Sequence, residues 1–284
     1  MSDINDIIKT KLQSLIDCGI DVSLFEIKLL MAGAMNIDVG NLRFYNGQPT
    51  KEQINKFERF IEMKKNFWPV DKILGKKSFY KLDFDVNCDV LSPRYDTEIL
   101  IEEAITLFDK SNNIDILELG VGSGCIVISL LDEYKNASAV GIDISAKALS
   151  TAKKNAENNS VIDRLTLLNA SWFDNDIKEK LNKKFDIIIS NPPYIPNKDI
   201  EFLDNEVKNF DPIIALDGGE DGLRDYRRIC LIAENLLKDD GYLVFEIGIN
   251  QADDVKQIAL ANNFRFVKMA KDLNGIARCV ILKK

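Results

Sequence analysis

Apolar positions along this chain change rhythm near residue 76. Before it they recur at three- and four-residue intervals: Ile4, Ile7, Ile8, Leu12, Leu15 and Ile16, then Val22, Phe25, Leu29 and Leu30, then Ile54, Phe57, Phe60 and Ile61. That spacing puts each set on one face of a helix. Gly19, Gly33, Gly40 and Gly47-Gln48-Pro49 punctuate the helices, and Trp68-Pro69 is expected to end the block. Residues 79–86 then alternate like a strand pair. From Tyr95 onward, short apolar runs alternate with helical patterns. Strands are predicted over 114–119, 138–143, 165–168, 185–189, 241–247, 264–269 and 277–282. Helices are predicted over 96–109, 125–134, 146–158, 222–238 and 251–262. Asp96, with Glu98 in the following turn, reads as the start of the first of these. Such alternation implies an α/β fold, a mostly parallel sheet covered on both faces, with ligands beyond the C-terminal strand ends. Gly120, Asp143, Trp172 and Asn191 are all expected at those ends.

Two of those ends carry candidate chemistry. The run Ile114 to Leu119 leads into Gly120-Val121-Gly122-Ser123-Gly124 and then the apolar helix pattern from Cys125. Glycines here permit a tight turn and a close approach of backbone to a ligand. Asp143, 23 residues beyond Gly120, ends the next predicted strand. That is the place of the carboxylate that grips a ribose in nucleotide-binding βαβ units. Cys125 stands where the third glycine of G-x-G-x-x-G would be, and the G-x-G-x-G form is closer to an S-adenosylmethionine site than to a dinucleotide site. The run Phe185 to Ser190 leads into Asn191-Pro192-Pro193-Tyr194. Two prolines stiffen this loop and remove two N–H donors, so it presents carbonyls. Asn191 adds an amide with acceptor and donor edges, and Tyr194 a flat ring. The set suits a planar amide or aromatic amine held for methylation; alone, the tetrapeptide could equally be a turn.

Composition narrows the class. With 284 residues, 46% apolar and 29% charged, the chain can form one large or two modest soluble domains. No apolar run is long enough for a membrane span, and the start Met1-Ser2-Asp3 is not that of a signal peptide. Five scattered cysteines without a CxxC pair argue for a reducing cytoplasm and against disulfides or zinc. Histidine is absent, which removes imidazole acid–base catalysis, Ser-His-Asp triads and histidine metal sites, so no metal is expected. Residues 1–75 hold ten basic and ten acidic side chains, while 76–284 hold 27 and 35 and so carry the whole net charge of −8. That balance speaks against a nucleic-acid partner. Lys183-Lys184 and Arg224, Arg227 and Arg228 are expected on solvated faces.

With these motifs in hand, the chain resembles the bacterial release-factor glutamine N5-methyltransferases. The resemblance runs through Ile73-Leu74-Gly75, Ser92-Pro93-Arg94-Tyr95-Asp96-Thr97-Glu98, the glycine turn, Gly141-Ile142-Asp143-Ile144-Ser145 and Ser190 to Ile195. It continues through Ala215-Leu216-Asp217-Gly218-Gly219-Glu220-Asp221-Gly222-Leu223, Glu246-Ile247-Gly248 with Gln251, and Lys271-Asp272-Leu273-Asn274-Gly275. Val121, Asp211 and Ser171 depart from the residues usual in that family. The resemblance implies a helical substrate-recognition domain over 1–75, a β-hairpin linker over 76–94, and a seven-stranded Rossmann-like S-adenosylmethionine-dependent methyltransferase domain over 95–284. It implies methyl transfer to the glutamine of the Gly-Gly-Gln motif in class 1 peptide chain release factors, with S-adenosylhomocysteine as product. A cytoplasmic monomer is expected.

Roles follow on the same footing. Gly120, Val121, Gly122, Ser123 and Gly124 are expected to bring backbone N–H groups to the methionine end of the cofactor, with Glu118 either contributing there or capping the turn. Asp143 is expected to accept from the ribose, since a partnerless carboxylate ending a buried strand would be costly. Ile144 and Trp172 are expected to sandwich the adenine, with plain core packing the alternative for Trp172. Arg94, Asp96, Thr97 and Glu98 form a loop over the site or a helix cap. Asn191 and the Pro192 carbonyl are expected to hold the substrate amide, Tyr194 to pack on its plane, and Pro193 to stiffen the loop. Asp217, Gly218 and Gly219 either close over the bound tripeptide or make an ordinary turn. The rivals are N6-adenine methylation of nucleic acid, glutamine methylation of another protein such as a ribosomal protein, and a non-catalytic cofactor-sensing module.

Overall fold

The computed structural model describes residues 4–272 and 274–284 and divides into two units, Met1–Lys76 with Asp204–Phe210, and Lys77–Leu203 with Asp211–Lys284. Leu273 of the Lys271 to Gly275 motif and the first three residues lie outside the described residues.

The first unit is helical. Its main helices are Ile4–Asp17, Leu24–Met35 and Lys51–Lys65. Ser23 with Glu26, and Thr50 with Gln53, form reciprocal capping boxes that fix the starts of the second and third. Ile8, Leu15, Ile27, Leu30, Met31, Phe57 and Ile61 make the core. In the second helix the buried face runs through Ile27, Leu30, Met31 and Ala34, and Phe25 is exposed. Nearly every residue of that helix is apolar, so periodicity could not locate its inner face. Pro69 does not end the block: it begins a further turn, Val70–Leu74, where a missing N–H costs nothing. The short helix Asn205–Phe210, far away in sequence, belongs to this unit. Lys64, buried, forms an ion pair with its Glu206; Trp68 packs on Phe210 with ring centroids 4.5 Å apart; and Lys72 Nζ donates to the Phe210 carbonyl.

All but the first residue of the hairpin β1 (Lys76–Phe79) and β2 (Leu82–Asp85) belongs to the second unit, and its Phe79 and Phe84 are buried. The main strands are β3 (Asp115–Leu119), β4 (Ser138–Asp143), β5 (Leu165–Asn169), β6 (Phe185–Ser190), β7 (Leu237–Glu246), β8 (Arg265–Lys271) and β9 (Ala277–Lys283). They form one sheet in the order β5-β4-β3-β6-β7-β9-β8. β9 runs antiparallel to both neighbours, and the other described pairings are parallel. Side chains alternate across the pleat, so Ile116 packs on one face and Leu117 and Leu119 on the other. Helices Glu98–Ala104, Cys125–Glu133 and Ala146–Asn158 cover the first face; Ile177–Leu181, Arg224–Leu236 and Ala252–Ala261 cover the second.

The helix expected over 96–109 is shorter. It is preceded by a 3₁₀ turn at Tyr95–Thr97 and stops at Ala104. Asp96 does not cap it; its carboxylate pairs with Arg278 at 2.9 Å, and Glu98 accepts from the N–H of Tyr80 in the hairpin. The helix expected to reach 238 ends at Leu236 because Leu237 already pairs with Phe185 in the sheet. Among the described residues no helix is long and apolar enough to cross a membrane.

Candidate active site

Sheet register builds the site. Leu119 lies opposite Ile142 on one side and Ser190 on the other, and Ser190 lies opposite Phe245. The next residue of each strand therefore falls in one row along the C-terminal edge: Asp143, Gly120, Asn191 and Glu246. The connections after β3 and β6 leave in opposite directions between these strands, which opens the crevice where such sheets bind ligands. The Ser190 hydroxyl, buried, ties the two strand ends by donating to the Leu119 carbonyl at 2.7 Å.

A cavity of about 280 Å³ occupies this crevice. Of the residues singled out from sequence, Glu118, Gly120, Val121, Gly122, Ser123, Asp143, Ile144, Trp172, Asn191, Pro193, Arg94 and Thr97 line it. Gly124, Pro192, Tyr194, Asp96, Glu98 and Asp217 to Gly219 are not among its lining residues.

The glycine turn offers fewer donors than expected. Gly120 and Val121 N–H both donate to the Ile142 carbonyl, Gly124 N–H to the Val121 carbonyl, and Gly122 N–H to Asp143. The glycines serve shape instead. Gly122 has φ +54° and open space where a side chain would stand. A Cβ on Gly120 would meet the Trp172 ring at 3.4 Å, so its absence lets the indole reach the turn. One on Gly124 would strike Ile128 and Ala152 at 2.7 and 3.3 Å, which makes that glycine a helix-packing residue. Asn155, fully buried, locks the turn to the hairpin: its amide donates to the Ser123 and Asp85 carbonyls and accepts from the Asp85 N–H.

Four carboxylates, Asp89, Glu118, Asp143 and Asp225, stand in an otherwise mainly apolar cavity wall. Asp143 is not partnerless: Oδ1 accepts from Ser145 N–H at 2.8 Å and Oδ2 from Gly122 N–H at 2.9 Å. Each oxygen keeps a further lone pair for a ligand. Burial raises its pKa against these two bonds. Glu118 is 1% exposed; Oε2 accepts from Val127 N–H, while Oε1 is buried without a hydrogen-bond partner. Its pKa is pushed well up by burial and by the nearby Asp143. Glu118 thus caps the following helix and also offers the cavity an unsatisfied acceptor. Trp172 packs against the core and lines the cavity at once, with its indole N–H fixed by Asp225 at 2.9 Å.

The solvated reading of the arginines holds for Arg227, which pairs with Asp221, and for the exposed Arg224, but not for the half-buried Arg228. Arg224 lines the cavity and pairs with Asp225 at 3.0 Å, and Arg228 donates to the Trp172 carbonyl. Asp225 itself, buried in the first turn of its helix, is a site residue that no sequence pattern marks. Arg94 pairs with Asp211 at 2.6 Å, a contact between two motifs 117 residues apart.

The Asn-Pro-Pro-Tyr loop is braced from behind. Ile195 pairs with Asp217 in an isolated bridge, and Gly218 N–H donates to the Ile195 carbonyl. A Cβ on Gly218 would fall within 2.9 Å of Pro193 O and 2.8 Å of Tyr194 Cα. The Asp217 to Gly219 segment is therefore a buttress against the loop. Gln251 completes it, donating to the carbonyls of Tyr194 and Gly222 while accepting from Gly248 N–H. Asn191 Nδ2 lies 3.4 Å from Thr97 Oγ1, which turns its N–H₂ edge into the protein.

Comparison with known proteins agrees with this architecture. Residues 110–278 match a family model described as a methyltransferase domain. The chain is 37% identical over 283 residues to a release factor glutamine methyltransferase of Fusobacterium nucleatum subsp. nucleatum, covering 98% of this chain and 78% of that protein. It is 36% identical to the release factor glutamine methyltransferase of Agrobacterium fabrum, covering 94% and 92%. A crystal structure of a methyltransferase from Pyrococcus furiosus superposes with a TM-score of 0.53 at 14% identity, over 72% of this chain and 89% of that one, a likeness of fold. This chain belongs to the release factor glutamine methyltransferase family.

Proposed function

We propose that the protein transfers a methyl group from S-adenosylmethionine to the side-chain amide nitrogen of the glutamine in the Gly-Gly-Gln motif of class 1 peptide chain release factors. The observation that carries this is the row Asp143, Gly120, Asn191, in which a carboxylate suited to a ribose and an asparagine suited to an amide share one cavity wall. The names of the relatives supply the substrate.

The residues fit the cofactor. The free lone pairs of Asp143 suit a ribose diol, the flat face of Trp172 an adenine, and the orphaned Glu118 Oε1 the ammonium of an amino acid. Glu118 and Asp143 in the cavity wall also favour a cationic ligand. Bound there, S-adenosylmethionine supplies a methyl group made electrophilic by its positively charged sulfur. The chain does the rest by positioning. An amide nitrogen is a poor nucleophile because its lone pair is delocalised. Acceptance of its N–H bonds by the Asn191 side-chain carbonyl and the Pro192 carbonyl orients that nitrogen toward the methyl group. It also disperses the positive charge that grows on nitrogen as the new N–C bond forms and the S–CH₃ bond breaks; the methylated nitrogen then loses its extra proton to water. The braced, proline-stiffened loop keeps those acceptors fixed, so little orientation is lost at the moment of reaction.

The helical unit is assigned to recognition of the release factor; its neutral charge supports a protein partner over nucleic acid, as does the acidity of the rest of the chain. Unpaired cysteines support a reducing, cytoplasmic setting. Labelled methyl transfer to a purified release factor, a Gly-Gly-Gln peptide, a ribosomal protein and DNA, run side by side, tests the proposal. Label on DNA or ribosomal protein alone would reject it.

A further inference from the structure

The fourth member of the row has no role in the scheme above. Glu246 ends β7 beside Asn191 and is 2% exposed, and its Oε2 is buried without a hydrogen-bond partner. The Tyr226 hydroxyl fixes its backbone by donating to the Glu246 carbonyl at 2.9 Å. Asn191 Nδ2 donates to the Thr97 hydroxyl at 3.4 Å, and both side chains lie near enough to the Glu246 carboxyl to lower its pKa. A buried acidic group at this position adds nothing to core packing, and an unsatisfied buried acceptor is costly.

The two edges of an asparagine amide are nearly equal in shape, and only their surroundings decide which way it points. A substrate –NH₂ needs the carbonyl edge of Asn191. An N–H₂ edge turned toward it would set donor against donor. We propose that Glu246 is a positioning residue for Asn191: its ionised carboxylate, with the Thr97 hydroxyl, claims the N–H₂ edge and so presents the carbonyl edge to the substrate amide. This rests on the methyl-transfer reading given above and adds to it a residue that need not touch substrate.

The selection depends on charge. An ionised carboxylate only accepts, so it admits only the N–H₂ edge; a protonated one carries an O–H donor and admits the flipped amide as well. Burial raises the Glu246 pKa from 4.5 to about 7, opposed by the nearby Thr97, Arg278 and Asn191. Arg278 on β9 and Asp96 on the 3₁₀ turn form their own ion pair. Tyr194, Tyr226, Cys125 and Cys279 are all pushed up by burial and stay neutral through this range. Correct orientation is therefore lost as pH falls through about 7.

The test is the full-length enzyme, wild type and Glu246→Gln, assayed for kcat on a purified class 1 release factor from pH 5.5 to 9, with S-adenosylmethionine affinity measured by calorimetry. Glutamine keeps the volume but accepts either edge. The expected result is a wild-type kcat that climbs through about pH 7. The variant should show a flattened profile, lie about tenfold below wild type at pH 8.5, and bind cofactor unchanged. Thr97→Val supplies a second reading should the first variant fold poorly. Losing the hydroxyl that lowers the Glu246 pKa should move the midpoint to higher pH. A Glu246→Gln profile that superposes on wild type, or a Thr97→Val midpoint that does not move, would overturn the assignment. A wild type inactive on release factor would reject the methyl-transfer reading itself, and this inference with it.

Discussion

Glu246→Gln should make the cofactor-free protein more stable, and only at high pH. Burial holds the carboxyl at about 7 against an ordinary 4.5, so between those values the folded chain keeps a proton that the unfolded chain gives up. Below about 4.5 both states are protonated and the group contributes its full stability. As pH rises through 7 the folded state must carry a buried charge, and that contribution is lost. Each tenfold in proton affinity is 1.36 kcal/mol, so the loss is about 3 kcal/mol, with little solvent screening at a side chain this buried. Glutamine never ionises and escapes the loss. The stability difference between variant and wild type should therefore grow by about 3 kcal/mol between pH 4.5 and 8.5, or roughly 1 M in urea midpoint for a typical slope. Glu118, Asp143 and Asp225, also raised by burial, titrate in both proteins and largely cancel. The chain has two tryptophans, Trp68 in the helical unit and Trp172 in the sheet unit, so a Trp68→Phe background lets fluorescence follow the sheet unit alone. A difference that stays constant from pH 4.5 to 8.5 would refute the buried-charge account. If the difference grows, the protein is retaining a destabilising charge at the position argued to orient Asn191, as functional sites commonly do.

Three further outcomes are expected. Asp143→Ala should abolish S-adenosylmethionine binding in calorimetry while circular dichroism stays native, because it removes the proposed ribose acceptor; unchanged affinity in a folded variant would end that assignment. Asn191→Ala should lower turnover more than tenfold, about 1.4 kcal/mol of transition-state stabilisation, with cofactor affinity little changed. Normal turnover there would sink the amide-acceptor mechanism. Glu118→Gln keeps the acceptor for Val127 N–H yet removes the charge offered by Oε1. It should weaken S-adenosylmethionine by about tenfold or more, the scale of a hydrogen bond to a charged group. It should weaken a des-amino analogue much less, and equal losses on both ligands would show that Oε1 meets no ammonium.

Most strands and helices, and the chemistry of two strand ends, are legible in local sequence pattern. Period 3.6 before residue 76 and short apolar runs after it are local signals, and a strand followed by glycines or by Asn-Pro-Pro-Tyr marks its own C-terminal end. β4 and the helix Ala146–Asn158 stand at the predicted residues. Tertiary structure decided what local pattern cannot encode. Strand register set Asp143, Gly120, Asn191 and Glu246 in one row, and no spacing along the chain distinguishes Glu246 from any other acidic strand end. Long-range hydrogen bonds gave the glycine turn's N–H groups to Ile142 and Asp143, converting expected ligand donors into structure. Asp96 has a capping residue's sequence context but pairs with Arg278, because a distant strand places a cation beside it. Asn205–Phe210 is too short and too polar to announce itself, and its place in the helical unit comes from Lys64, Trp68 and Lys72, more than 130 residues away in sequence. Local propensity follows from each residue's own backbone and neighbours; burial, register and ion pairing exist only once segments distant in sequence have met.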